Sequence, residues 1–251
     1  MKLKWDETGK RFYETGISHV VVFPYNKTSN AWGNGVAWNG VTNVTKSPDG
    51  AEPYDFWADN IKYASIRSAE NVGGSITAYQ SPKEFDICDG SVEVATGVNI
   101  GQQTRVPFCL VYRSEIGNDL SQEAGYKLNF VYNATASPTE RAYDTINDSP
   151  DAQELSWDYD STPVNVTGHK PTASLEVNSL YIDSAKLTLI ENAIYGTDET
   201  ESHILLPDDL LALINGNGGN NTGENTGNNT GENAGNNTGE NTGDNGENTG
   251  N

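Results

Sequence analysis

Residues that bind metals or perform redox work are scarce in this chain: 251 residues include two cysteines, three histidines and one methionine. None of His19, His169 and His203 has a partner at ligand spacing such as His-Glu-x-x-His, so neither a metal nor a cofactor is expected. Gly33-Asn34-Gly35 is followed by Trp38 and Gly40, which breaks a dinucleotide fingerprint, and Gly9-Lys10 lacks the upstream glycine of a phosphate loop. There is no Gly-x-Ser-x-Gly nucleophile elbow. Bases are scarce too, with 15 Lys and Arg against 35 Asp and Glu and a net charge of -20. That balance excludes a phosphate-binding surface and disfavours anionic membranes. The N-terminus, MKLKWDETGKRF, lacks an apolar stretch, and Val20 to Phe23 is too short for a signal or a span, so no membrane insertion is expected. Without a secretory signal, Cys88 and Cys109 are expected as reduced thiols, Cys109 inside an apolar strand. The chain therefore reads as a non-enzyme.

What is present is strand pattern. In Tyr126 to Tyr132, Tyr126, Leu128, Phe130 and Tyr132 fall on one face and Lys127 and Asn129 on the other, the period of a half-buried strand. Leu155, Trp157 and Tyr159 oppose Glu154, Ser156, Asp158 and Asp160, and Leu175 and Val177 oppose Ser174, Glu176 and Asn178. Asp158 and Asp160 could suggest a glycosidase pair, but at strand spacing they share one exposed face, where nothing would raise the pKa of one of them. Further strand-like words are Val20 to Tyr25, Val36 to Val44, Ile61 to Ser68, Ser75 to Gln80 and Val106 to Arg113, each bounded by Gly, Pro, Asn or Asp. The rhythm predicts a mainly β fold, a β-sandwich or barrel with one or two flanking helices.

Pro82 to Cys88 reads as one helical turn. Asp183 to Tyr195 reads as a helix with Asp183 or Ser184 as cap, a Leu187, Ile190, Ile194 stripe, and Gly196 at a left-handed C-cap. Pro207 to Ile214 reads as a second, with Asp208 and Asp209 in its first turn. Its leucines require it to dock on the body or on a neighbouring subunit. From Asn220 an eight-residue unit repeats: NNTGENTG, NNTGENAG, NNTGENTG, then DNGENTGN. With no apolar residue beyond Ala234 it lacks the core of a calcium-binding β-roll and is expected to be disordered. The organisation is a β domain over residues 1–214 and a repeat tail over 215–251. Removing the tail's five acids from -20 leaves -15 on the body.

The words GYKLNFVYNATASPTERAYDTINDSPDAQELSWDYDSTPVNVTGHKPTASLEV, over residues 125–177, resemble the major tail protein, or tail tube protein, of long-tailed bacteriophages, particularly those of Gram-positive hosts. ETGISHVVVFPY, the stretch from Gly33 to Ser91 and RVPFCLVYRSEIGND are similar to the same family in the same order, so the resemblance covers about Glu14 to Ile214. It implies a structural virion protein made in the bacterial cytoplasm, whose copies form hexameric rings that stack into the conduit for the genome. The implied partners are other copies of the chain and the tape-measure, tail terminator and baseplate proteins. Genomic DNA is implied as cargo that does not adhere, which an acidic lining suits.

Within that expectation, the loop from Lys46 to Asp59, with Tyr54, Phe56 and Trp57, and the N-terminal arm up to Glu14 are candidates to reach an adjacent ring. Glu154, Asp158 and Asp160 are candidates for the channel wall. A carbohydrate-binding β-sandwich is the alternative, since 5 Trp and 12 Tyr could build a sugar platform. Trp157, alternating with acids on a core face, is expected to be buried instead.

Overall fold

The computed structural model describes residues 2–50, 52–67, 70–143, 145 and 152–216. The repeats from Asn220 onward lie outside them. Among the described residues, thirteen strands and three helices follow in chain order: β1 (Tyr13–Asn26), β2 (Ala31–Trp32), β3 (Val36–Ala37), β4 (Val41–Gly50), β5 (Pro53–Ala58), β6 (Ile61–Arg67), β7 (Glu70–Ala78), a 3-10 turn (Lys83–Phe85) running into α1 (Asp86–Asp89), β8 (Val92–Ala95), β9 (Val98–Ile100), β10 (Phe108–Gly117), β11 (Gly125–Pro138), β12 (Leu155–Ser161), β13 (Ser174–Asn178), α2 (Ser184–Tyr195) and α3 (Pro207–Ile214). The fold is mainly β, as the punctuation of the sequence predicts. One antiparallel sheet runs β2-β1-β10-β11-β12-β7-β4, with β13 on the first half of β11 and β3 on β1, while β5-β6 and β8-β9 are separate hairpins.

The long sheet curls over itself. Val22 of β1, Leu110 of β10, Val131 and Ala134 of β11, Trp157 of β12 and Ile76 of β7 share one core, and β1 touches β4 at the other end of the strand order, which a folded-over sheet allows and a flat one does not. Trp157 is fully buried there, its ring 5.4 Å from Trp38 and 5.5 Å from Phe85. The opposite face of β1, β10 and β11 carries Phe23, Val111, Leu128, Phe130 and Tyr132 against α2 and α3. β11 is therefore buried on both faces. The half-buried reading of Tyr126 to Tyr132 is corrected: Leu128 and Phe130 face the helices, Val131 faces the folded-over sheet, and Asn129 is buried with its amide donating to Ser114 Oγ at 3.1 Å.

Both helices form where the sequence places them, except that Gly196, expected as a left-handed cap, combines positive φ with an extended ψ of 173° and so closes α2 in another conformation. Asp183 caps α2, its carboxylate accepting from the amides of Ala185 at 3.0 Å and Lys186 at 3.3 Å, and Gly196 at its end has φ 78°. α3 starts at Pro207 and docks on the body, with Leu205 and Leu210 buried and the Tyr132 hydroxyl donating to the Leu205 carbonyl at 3.0 Å. Cys88 and Cys109 are free, buried thiols.

Elsewhere the strands depart from the sequence reading. Val36 to Val44 is broken, because Trp38 turns into the core and Gly40 takes φ 80°. His19 does not begin a strand: it sits inside β1 at φ 51°, within an irregular stretch of register between Ser18 and Val21. The expected loop from Lys46 to Asp59 is mostly strand. β4 runs through Pro48, which a sheet accepts at an edge where no partner asks for its missing N–H, and β5 continues to Ala58. The turn lies at Asp59 and Asn60, both at positive φ as a two-residue hairpin turn requires.

Candidate functional site

Two surfaces stand out, one on the main sheet around β4 and β7 and one on the separate β5-β6 hairpin that lies between them in sequence. The first is the outer face of β11, β12, β7 and β4. The register places Asp158 beside Ser75 and Ser137, and Asp160 beside Gly73 and Thr135; Ser75 lies beside Thr45 and Gly73 beside Ser47. Paired residues share a face, so β11, β12, β7 and β4 together present hydroxyls and carboxylates with no Lys or Arg at these paired positions. Thr45 Oγ1 and Ser75 Oγ lie 2.8 Å apart across the strands. Asp158 and Asp160 are exposed, as their alternation with the buried Trp157 and Tyr159 predicts. Glu154 is exposed as well but precedes the first residue of β12.

The core side of this face is held by an uncommon contact. Gly74 of β7 lies opposite Tyr159, whose buried hydroxyl passes over the glycine to donate to the Thr45 carbonyl at 2.8 Å. Burial raises the Tyr159 pKa, so the hydroxyl keeps its proton and remains a donor. No side chain fits at Gly74: a Cβ there would stand 2.0 Å from the Thr45 oxygen and 2.6 Å from the Tyr159 hydroxyl. β4 thus approaches β12 closely across β7. Among the described residues no further strand pairs with its own outer edge.

The second surface is the β5-β6 arm. Its register pairs Tyr54 with Ile66, Phe56 with Ala64 and Ala58 with Ile61, making one apolar face, with the Tyr54 and Phe56 rings 5.4 Å apart. The other face holds Asp55, whose carboxylate accepts from Lys62 at 2.7 Å and is thereby held below its ordinary pKa, and Trp57. Tyr54 is 72% exposed, Ile66 60% and Ile61 63%. Six residues of strand at about 3.3 Å each give the arm a length of about 20 Å. A lone hairpin of two strands is marginal in water, and covering such side chains contributes about 1.5–3 kcal/mol each. Tyr54, Phe56 and Trp57, read from the sequence as residues of a loop, lie on a strand of this hairpin, and Ile61, Tyr63 and Ile66 of the second strand are exposed beside them.

Neither surface has the parts of an active site. A shallow depression of about 410 Å³ lies between Asn34-Gly35 and Tyr195–Ser202, but its groups pair with one another: Asn34 donates to Glu201 at 2.6 Å and the Gly35 amide to Ser202 Oγ at 2.9 Å. Among the described residues no three His, Cys, Asp or Glu side chains are placed to hold a metal ion, and no helix is long and apolar enough to cross a membrane. Trp157 and Trp38 are buried and unavailable to a sugar.

No protein-family model and no curated protein matches the chain. Among solved structures it is similar to a sheath/tube terminator of the PVC extracellular contractile injection system, at 12% identity over 70% of this chain and 99% of the other, with a TM-score of 0.30. A chain of the PVC sheath-tube complex gives 11% identity over 70% of this chain and 94% of that one, with a TM-score of 0.28. A chain of the anti-feeding prophage baseplate gives 9% over 70% and 97%, with a TM-score of 0.31. Likeness at this level decides nothing about function.

Proposed function

We propose that the chain is the tail tube subunit of a long-tailed bacteriophage. Six copies close into a ring, rings stack into a tube, and the tube carries the genome out of the virion. The reading rests on the ordered sequence resemblance from Glu14 to Ile214, and one structural observation carries the mechanism: the four-strand face of Asp158, Asp160, serines and threonines has no base at its paired positions. Placed on the channel wall, that face offers a phosphate backbone nothing to bind. Six bodies at -15 bring about -90 before screening, and fields from such a wall decay within about 10 Å, enough to keep water and counterions between wall and duplex.

The open edge of β4 offers a site for pairing with the next subunit around the ring, and the arm reaches the adjacent ring. The protein is a virion component with no catalytic role, assembled in the host cytoplasm and meeting tape-measure, terminator and baseplate proteins at the tube's ends. Negative-stain electron microscopy of the purified chain tests the reading: hollow tubes or six-fold rings support it, and a monomer at every concentration and salt refutes it.

A further inference from the structure

The arm has a counterpart at the other end of the sheet. Leaving β7 at Ala78, the chain passes through the 3-10 turn and α1 into the β8-β9 hairpin, while the arm enters β7 at Glu70, so the two hairpins sit at opposite ends of the strand direction. Arg141, just beyond the end of β11, holds Asp89 of α1 at 2.9 Å and fixes α1 at that far end. The β8-β9 hairpin is amphipathic the wrong way round for a free molecule. Its polar residues point to the body: Glu93 pairs with Lys83, and Asn99 donates to Asp86 at 3.3 Å. Its apolar residues point to solvent: Val92 lies opposite Ile100, Val98 follows on the same face, and Val94 is the extra residue of a bulge. Val94 is 57% exposed and Val98 53%.

Each hairpin stands outside the main sheet, and each exposes an apolar face that the fold leaves uncovered. Surfaces at opposite ends of one molecule that complement each other make a head-to-tail contact, which repeats without limit along an axis. We infer that the apolar face of the β5-β6 arm of one copy docks on the Val92, Val94, Val98, Ile100 face of the β8-β9 hairpin of a second copy. The inference deepens the tube reading by naming the receptor for the arm, and it rests on that reading for the axis of stacking.

A head-to-tail joint has a diagnostic. Phe56→Glu disables the arm and leaves the hairpin; Val98→Glu disables the hairpin and leaves the arm. Both positions are exposed, so thermal unfolding of either variant stays at the wild-type midpoint; Phe56→Thr and Val98→Thr repeat the test should a carboxylate disturb either hairpin. Under conditions where the full wild-type chain elongates, each variant alone is expected to stop at single rings, with at least a ten-fold fall in sedimenting material. A one-to-one mixture is expected to stack in pairs and no further, because only one arm-defective ring and one hairpin-defective ring can join. Val98→Glu elongating like wild type overturns the docking, as does a mixture in which two blocked variants fail to pair. A wild-type chain that forms neither rings nor tubes overturns the tube reading and this inference together, whereas normal wild-type tubes with an indifferent Val98 variant overturn the docking alone.

Discussion

Gly74→Ala tests how the acidic face is held together. The added Cβ would stand 2.0 Å from the Thr45 carbonyl oxygen, against about 3.4 Å for ordinary contact, so β4 must retreat by about 1.4 Å or the strand pairing must deform. Overpacking of this kind costs about 1–3 kcal/mol. Because the methyl also lies 2.6 Å from the Tyr159 hydroxyl, the buried bond from Tyr159 to Thr45 is lost, for about 1–3 kcal/mol more. The expected loss is about 3 kcal/mol or greater, a large share of the 5–15 kcal/mol typical of a domain.

Tyr159→Phe alone should cost about 1 kcal/mol. In the double variant the hydroxyl that obstructs the new methyl is gone, so the combined loss should fall short of the sum by about 1 kcal/mol. Urea unfolding followed by tryptophan fluorescence reads this directly, since Trp157 lies opposite Ile76, two residues from Gly74, and is fully buried. A Gly74→Ala protein within about 0.5 kcal/mol of wild type, or strict additivity in the cycle, refutes the close-approach argument.

Other outcomes follow from the same structure. Replacing Asp158 and Asp160 with Lys should leave tubes intact and slow genome release; unchanged infectivity counts against a channel role. Truncation after Ile214 should leave assembly unaffected by electron microscopy, since the repeats that follow have no apolar residue beyond Ala234 to bury. Burial pushes the Cys88 thiol up to about 12 and that of Cys109 higher, so neither should react with iodoacetamide at pH 8 until the protein unfolds; rapid labelling of the native chain contradicts their placement. The Asp208 carboxylate accepts from the Thr167 amide at 2.9 Å and hydroxyl at 2.7 Å, which lowers its pKa below 3.8. Its stabilisation is therefore full above that value and lost as pH falls through the lowered one, so protection of the Thr167 amide, taken relative to its intrinsic exchange rate, should fall below about pH 4, an effect absent in Asp208→Asn.

The sequence carried local signals well and partner-dependent ones poorly. α2 was legible because its cap and stripe lie within its own residues, and β12 because Trp157 and Tyr159 alternate with exposed acids across one buried face. β11 misled because a period of two reports one buried face, whereas the helices arriving from residues 184–214 bury the other. Pro48 and Gly50 resembled a turn, yet lie on an edge strand, where a missing N–H costs nothing. The β8-β9 hairpin was overlooked although Val92, Val94, Val98 and Ile100 flank a Thr96-Gly97 turn; its apolar face meets no core in this chain, so burial gave it no weight. Tyr54, Phe56 and Trp57 were legible as exposed aromatics, but not as members of a strand.

A cryo-electron microscopy reconstruction of the assembled tube would show directly which face lines the channel. A tail tube subunit with this acidic face should give a six-fold tube in which Asp158 and Asp160, with the serines and threonines of β4, β7 and β11, line the inner wall. Those carboxylates on the outer wall, or basic residues facing the channel in their place, would contradict it.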